Sequence, residues 1–187
     1  MTQTAIFDTF KVRAEAVSAE VHQFARKSEA LIFILEFLRN DAVINQPFTA
    51  LWADCPFLAG LDKERLSREA PGLSFGVTRE LAATARIGIS QMDWAVANTG
   101  TLVQDASAVA KRLVSTLPDI HIAIVKSSEV VADLPVLLKK ADPNRAPYIS
   151  FITGPSRTAD IERVLTIGVH GPARLIVVAV DDIEEMN

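Results

Sequence analysis

The run ISFITGPSRTADI at residues 149–161 constrains the chain more than any other stretch, because three separate signals meet in it. An apolar segment rich in β-branched and aromatic residues ends at Thr153, the pair Gly154-Pro155 turns the chain, and Ser156-Arg157-Thr158 opens a segment with helical apolar spacing. The pattern predicts a strand over 148–153, a helix over 158–167 stopped by Gly168, and a strand over 174–180, together one βαβ unit. A strand-to-helix turn gathers unpaired backbone N–H groups and the positive end of a helix dipole in one place. Gly154, Ser156, Arg157 and Thr158 are therefore read as an anion pocket, at the carboxyl end of a parallel strand. The competing structural reading has Ser156 or Thr158 capping the helix and Arg157 pairing with Asp160 or Glu162.

Upstream, the expectations are mostly local. Val12, Ala16, Val17, Val21 and Phe24, followed by Leu31, Ile34, Leu35 and Leu38, recur at intervals of three and four. Residues 4–38 are accordingly expected to form one or two amphipathic helices, making 1–40 a helical N-terminal segment, with Ser28 capping the second helix. Short strands are expected at 50–53 and 73–77, a charged helix at 61–70, and a helix over 78–87 capped by Thr78 and closed by Gly88. Strands at 94–97 and 101–103 are joined through Asn98, Thr99 and Gly100. A glycine between Thr99 and Thr101 suits either close approach to a ligand or an ordinary hairpin turn. Residues 106–117 read as helical or irregular, 120–125 as a buried strand, and 127–138 as a helix kinked or ended by Pro135.

Bulk properties narrow the function. The 187 residues fit a single domain, 1–187, whose core needs no covalent staple. A net charge of −4 argues against a general nucleic-acid binder or an anionic-membrane binder. The longest apolar runs are about six residues and no basic, apolar leader opens the chain, so a cytoplasmic protein is expected. One cysteine, Cys55, rules out an internal disulfide and any cluster held by several thiolates of this chain. Cys55 itself is expected to be an inert buried or loop thiol, His22 a solvated residue, and His121 a hydrogen-bonded histidine of the core or sheet edge. No Walker loop, dinucleotide fingerprint, nucleophile elbow or metal-ligand spacing of the three histidines is present, so no reaction is identified. His170, between glycines in a post-helix loop, is the best candidate for a catalytic or ligand-binding histidine.

Four blocks in order carry a resemblance that reaches across about the C-terminal half: GISQMDWAVANTGTLV at 88–103, TLPDIHIAIV at 116–125, SFITGPSRTADIE at 150–162 and GVHGP at 168–172. They resemble the LUD-domain family, and within it the lactate utilisation protein C group. The resemblance implies an α/β fold with a mainly parallel sheet flanked by helices, like ribose-5-phosphate isomerase and the CoA-transferases. It further implies a role in oxidising L-lactate to pyruvate beside partner subunits that carry iron–sulfur clusters, with no cofactor bound by this chain. Asn98 stands where an acidic residue is frequent in the family, and the enzymatic glutamate of the CoA-transferases has no counterpart here. Three functions follow for comparison. The first is a non-cluster subunit binding a small carboxylate or other anion through Thr99, Gly100, Thr101, Gly154, Ser156, Arg157, Thr158 and His170. The second is a stand-alone enzyme on a phosphorylated or CoA-linked metabolite, and the third a non-catalytic assembly module.

Overall fold

A computed structural model describes residues 2–45, 49–141, 146–159, 165–167 and 170–183. Its frame is a six-stranded sheet in which every neighbouring pair is parallel, built from β1 (Ala19–Arg26), β2 (Ala50–Trp52), β3 (Leu73–Ser74), β4 (Ile87–Gln91), β7 (Ile120–Lys126) and β12 (Arg174–Asp182). The order is β1-β12-β7-β4-β2-β3. The α/β expectation with a mainly parallel sheet therefore holds. β12 and β7 both lie inside the sheet, second and third in that order, and their near-continuous Ile, Val and Ala runs are what a parallel strand covered on both faces requires.

The two faces are covered differently. Ile87, Ile89, Ile120, Ile122, Ile124, Ile176 and Val178 pack on one face against Ala30, Ile34, Leu35 and Leu38 of α2 (Lys27–Ile44) and against Leu66 of α3 (Lys63–Glu69). Ala123, Val125, Val177 and Ala179 face the other way, onto Phe7, Phe10 and Ala14 of α1 (Gln3–Ala16). The same side carries a second, four-stranded sheet of order β8-β5-β6-β9, made of β5 (Trp94–Val96), β6 (Thr101–Asp105), β8 (Val130–Val131) and β9 (Ile149–Ile152). Next to it, α4 (Arg79–Thr84) and α5 (Val109–Thr116) cover the β2–β4 edge through Ala82 and Val114.

Local expectations hold for the charged helix α3 and for the cap of α4, where Thr78 accepts from the Leu81 N–H at 3.2 Å. Asp62 caps α3, and Pro135, expected to kink or end a helix, instead sits in the first turn of α6 (Leu134–Lys140), where its missing N–H costs nothing. Five expectations are corrected. Residues 19–26 are not helical: they form β1, hydrogen-bonded to β12 from Ala19↔Leu175 to Arg26↔Asp182, so the N-terminal segment is helix, strand, helix. The second of those helices starts at Lys27, one residue before the expected cap at Ser28. Gly88 does not close a helix but lies inside β4, where any Cβ would collide with the Val114 carbonyl of α5. Residues 127–138 divide into a short 3-10 turn, β8 and α6.

The fifth correction removes the βαβ unit. β9 belongs to the smaller sheet, antiparallel to β6. After the turn, β10 (Arg157–Ala159) and β11 (Leu165–Ile167) pair antiparallel, Arg157 opposite Ile167, where a helix is predicted. Residues 160–164 and 168–169 lie outside the described residues, and with them Asp160, Glu162 and Gly168. The described part of this segment is strand, so no helix dipole begins at Ser156.

Candidate functional site

A cavity of about 260 Å³ opens at the amino ends of β7 and β12. Its walls come from three places in the chain: Ser115 and Thr116 at the end of α5, the turn at 151–156 after β9, and His170, Gly171 and Pro172 ahead of β12. The two loops are tied by the Ser156 N–H donating to the Pro172 carbonyl at 2.8 Å, and Gly171 leaves room for the Ser156 side chain, which a Cβ would meet at 3.1 Å. The site lies at the end of the parallel sheet opposite to the predicted one, because the turn after β9 returns to β12 without a crossover helix.

His121 forms the inner end. As the second residue of β7 it lies between Gly88 of β4 and Leu175 of β12, and it is 1% exposed. Its Nε2 is 2.9 Å from the Ser90 hydroxyl, while its Nδ1 is buried with no hydrogen-bond partner among the described residues. A buried imidazole nitrogen left unpaired costs free energy on the order of 1–3 kcal/mol. Burial pushes the pKa down to about 4, because desolvation disfavours the imidazolium. At neutral pH His121 is therefore an uncharged hydrogen-bonding group.

The predicted site residues separate into two sets. Gly154, Ser156 and His170 line the cavity, with Gly154 buried and His170 exposed at the mouth. Thr101 stands behind the wall: its hydroxyl lies 2.8 Å from Thr153 Oγ1, a lining residue, and donates to Thr99 Oγ1 at 2.8 Å. Gly100 and Arg157 serve a different place. Gly100 has φ +65° and turns the β5–β6 hairpin against the backbone of Arg13 and Ala14, where a Cβ would collide. Gly154, at φ +75°, comes up equally close to the Val17 carbonyl. Arg157 donates to that same carbonyl and to Ser18 Oγ at 3.2 Å. Two left-handed glycines and a guanidinium thus clasp the end of α1, where Ser18 itself has φ +71°. Of Thr158 only the strand backbone is described.

Sequence reasoning noticed His121 but gave it a core role only, and missed Ser90, Ser115 and Thr116. The signal was present in part: Gly88 and Ser90 share one face of β4, and the β4–β7 register sets Gly88 opposite His121 with Ser90 one step along the same face, opposite Ala123. Asp93 is not in the cavity. Burial raises its pKa, opposed by the Asp105 N–H at 2.7 Å and by Lys111, so it acts as a brace between β5 and β6. Cys55 is half-buried, and burial raises its thiol pKa, as expected for an unreactive thiol. His22 packs its ring on Phe33, with centroids 4.6 Å apart. Among the described residues no helix is long and apolar enough to cross a membrane, and no group of three metal-ligating side chains converges.

The model of the LUD domain matches residues 7–180, nearly the whole described fold. The chain belongs to the LUD-domain family. Among the relatives of this LUD domain are "Lactate utilization protein C 1" of Bacillus mycoides, 39% identical over 109 residues, and "Lactate utilization protein C" of an Exiguobacterium species, 41% identical over 112 residues. These alignments cover 55% and 57% of this chain and 47% and 49% of those proteins, so the chain spans about half the length of the curated relatives it matches. The fold is also similar to the crystal structure of a DUF162 family protein from Deinococcus radiodurans, with a TM-score of 0.67 at 17% identity, covering 96% of this chain and 99% of that one.

Proposed function

We propose that this LUD domain is the non-cluster subunit of an L-lactate utilisation system and that it holds a small monocarboxylate of the lactate or pyruvate kind in the amino-end cavity. One observation carries the choice of ligand: the buried, unpaired Nδ1 of His121 at the inner end of a cavity whose described lining contains no Lys, Arg, Asp or Glu. With the Ser90 hydroxyl donating to Nε2, Nδ1 carries the proton and donates to a ligand oxygen; the Ser156 hydroxyl and His170, also in the lining, are the other candidate donors, since the Thr153 hydroxyl gives its proton to Thr101. Such a lining satisfies one negative charge through hydrogen bonds and suits a phosphate dianion poorly. The reading of a stand-alone enzyme on a phosphorylated or CoA-linked metabolite is therefore not favoured at this cavity.

The role in lactate utilisation rests on the names of the relatives. The 187 residues act as one LUD-type domain, a component of a lactate-oxidising system rather than a complete enzyme. With a single cysteine, the chain leaves iron–sulfur clusters to partner subunits. The test is a thermal-shift and calorimetric titration with L-lactate, pyruvate and inorganic phosphate. A ligand at a hundred times its Kd adds about 2.7 kcal/mol, on the order of 5–10 °C for a chain of this length. A carboxylate response that survives Arg157→Ala and disappears in His121→Phe is expected. No response to either carboxylate, or one that Arg157→Ala abolishes and His121→Phe leaves intact, would refute the assignment.

A further inference from the structure

The opposite end of the sheet carries a second cavity, of about 460 Å³, lined by Lys27, Pro56, Ala59, Gln91, Lys126 and Ile183. Each of these residues sits at or just beyond the carboxyl end of a parallel strand: Lys27 after β1, Pro56 and Ala59 in the loop after β2, Gln91 at the end of β4, Lys126 at the end of β7, and Ile183 after β12. Parallel α/β sheets bind ligands at this edge, where loops and helix starts converge.

The group that stands out is Lys27. The residue is 3% exposed, yet its ammonium meets only the Ala59 carbonyl, at 2.8 Å, and the face of the Phe57 ring, 5.6 Å from the centroid. Two of its three N–H donors are left without an acceptor, and no carboxylate pairs with it among the described residues. A buried cation so placed is costly, and a lysine lowers the cost by giving up its proton: desolvation lowers the Lys27 pKa. Cys55, whose thiol pKa is itself raised by burial, supplies no counter-anion. The shift enlarges the share of uncharged amine, the form in which lysine is a nucleophile.

The rest of the lining suits an uncharged reactant. Gln91 Oε1 accepts from the Phe57 N–H at 2.8 Å, which fixes the carboxamide and leaves its NH₂ as a donor. Phe57 thus joins the two polar groups, its backbone held by Gln91 and its ring under Lys27. Pro56, Ala59 and Ile183 add apolar wall. Lys126, which also borders the cavity, has a partner of its own, so Lys27 is the candidate nucleophile of this site.

We propose that Lys27 forms an imine with a small aldehyde or ketone admitted to the carboxyl-end cavity. The uncharged amine adds through its lone pair to the carbonyl carbon, and the C=O π pair moves onto oxygen, where the Gln91 NH₂ is the available donor. The oxygen takes a proton and the nitrogen loses one, giving a carbinolamine. The hydroxyl then leaves with a further proton as water while the nitrogen loses its second proton and its pair closes the C=N bond. Amine and carbonyl compound thus give imine and one water, with no change of oxidation state. The site shares no residue with the amino-end cavity.

The competing role is structural, Lys27 holding the loop at Ala59. The experiment that separates the two is reductive trapping of the full chain at neutral pH with limiting propionaldehyde and cyanoborohydride, followed over time by peptide mass spectrometry. An ordinary lysine, with a pKa of about 10.4, is almost wholly protonated there. Lys27 is expected to be alkylated roughly tenfold or more faster than Lys139, an exposed lysine of α6 in the same molecules, whereas accessibility alone would give the reverse order. Lys27→Arg keeps a cationic donor for the Ala59 carbonyl and cannot form an imine; it is expected to retain the thermal transition and to lose the fast phase. Labelling of Lys27 no faster than that of Lys139, or a fast phase that persists in folded Lys27→Arg, would overturn the proposal. The wild-type ratio decides by itself should Lys27→Arg not fold.

Discussion

The two ends of the parallel sheet present cavities of comparable size and opposite chemistry. At the amino ends, hydroxyls, glycine turns and an uncharged imidazole line about 260 Å³; at the carboxyl ends, two lysines and a carboxamide line about 460 Å³. Both depend on a buried titratable side chain with spare hydrogen-bonding capacity, His121 in one and Lys27 in the other. Charge separates the two: the described amino-end lining has no formal cation and can hold a monocarboxylate through hydrogen bonds. Construction differs too. The carboxyl-end site is made from strand ends and the start of α2, while the amino-end site depends on loops held against α1.

That dependence gives the largest expected effect. In Gly154→Ala the new Cβ requires a left-handed alanine and collides with the Val17 carbonyl. We expect about 3 kcal/mol of destabilisation, or roughly 6–12 °C in Tm, from the backbone cost plus the displacement of α1. The lactate response should vanish with it. A loss below about 1 kcal/mol would show that the turn relaxes easily and that the clasp does not shape the cavity.

Nearly as large is the pH dependence of His121. Its pKa is about 4 in the folded chain against an ordinary 6.5, so the unfolded state binds more protons between these values and stability falls as pH falls. The full contribution is present above pH 6.5, and roughly 3 kcal/mol is lost by pH 4. Denaturant midpoints measured at intervals from pH 7.5 to 4 should show this slope in wild type and lose most of it in His121→Phe. A bound carboxylate that accepts from Nδ1–H also favours the protonated ring, so ligand should flatten the slope. An unchanged slope at saturating lactate would separate His121 from the ligand.

These residues also show how far the sequence could be read. The cap at Thr78, the apolar run of β7 and the hairpin around Gly100 were legible because each is decided within a few residues. β1 was not, since Val17, Val21 and Phe24 mimic helical spacing and the competing partner, β12, lies more than 150 residues away. Residues 157–167 failed similarly: Ser156-Arg157-Thr158 looks like a helix start, but pairing of Arg157 with Ile167 across the hairpin prevails over local propensity. Half of the candidate site was legible through its glycine-punctuated loops, giving Gly154, Ser156 and His170. The His121–Ser90 pair was not, because only the β4–β7 register brings the two together. Lys27 was hidden for the same kind of reason, its burial depending on a loop 30 residues further along.

Arg157→Ala tests the division between clasp and cavity at smaller magnitude. The side chain is exposed, so removing its hydrogen bonds to Val17 and Ser18 should cost about 1 kcal/mol. Hydrogen exchange should quicken in the last turn of α1, with carboxylate affinity within a factor of two of wild type. A tenfold loss of carboxylate affinity with unchanged stability would return Arg157 to the ligand and reverse the division.

The smallest effect is expected at the β1–β12 edge, where Arg174 grips Glu20 through two hydrogen bonds of 2.8 and 2.9 Å. The Arg174 guanidinium holds the Glu20 carboxyl below its ordinary 4.5, so this pair's stabilisation is present above that value and is lost as pH falls through the lowered pKa. Both side chains are nearly half exposed, which limits the contribution to less than about 1 kcal/mol and makes it sensitive to salt. Glu20→Gln should therefore lower stability slightly at pH 7, less so in 1 M salt, and leave the slope between pH 6.5 and 4.5 intact. That interval belongs to His121. If Glu20→Gln removes a large part of the slope there, the acid sensitivity originates at the strand edge, and the buried imidazole titrates closer to its ordinary value than its desolvation implies.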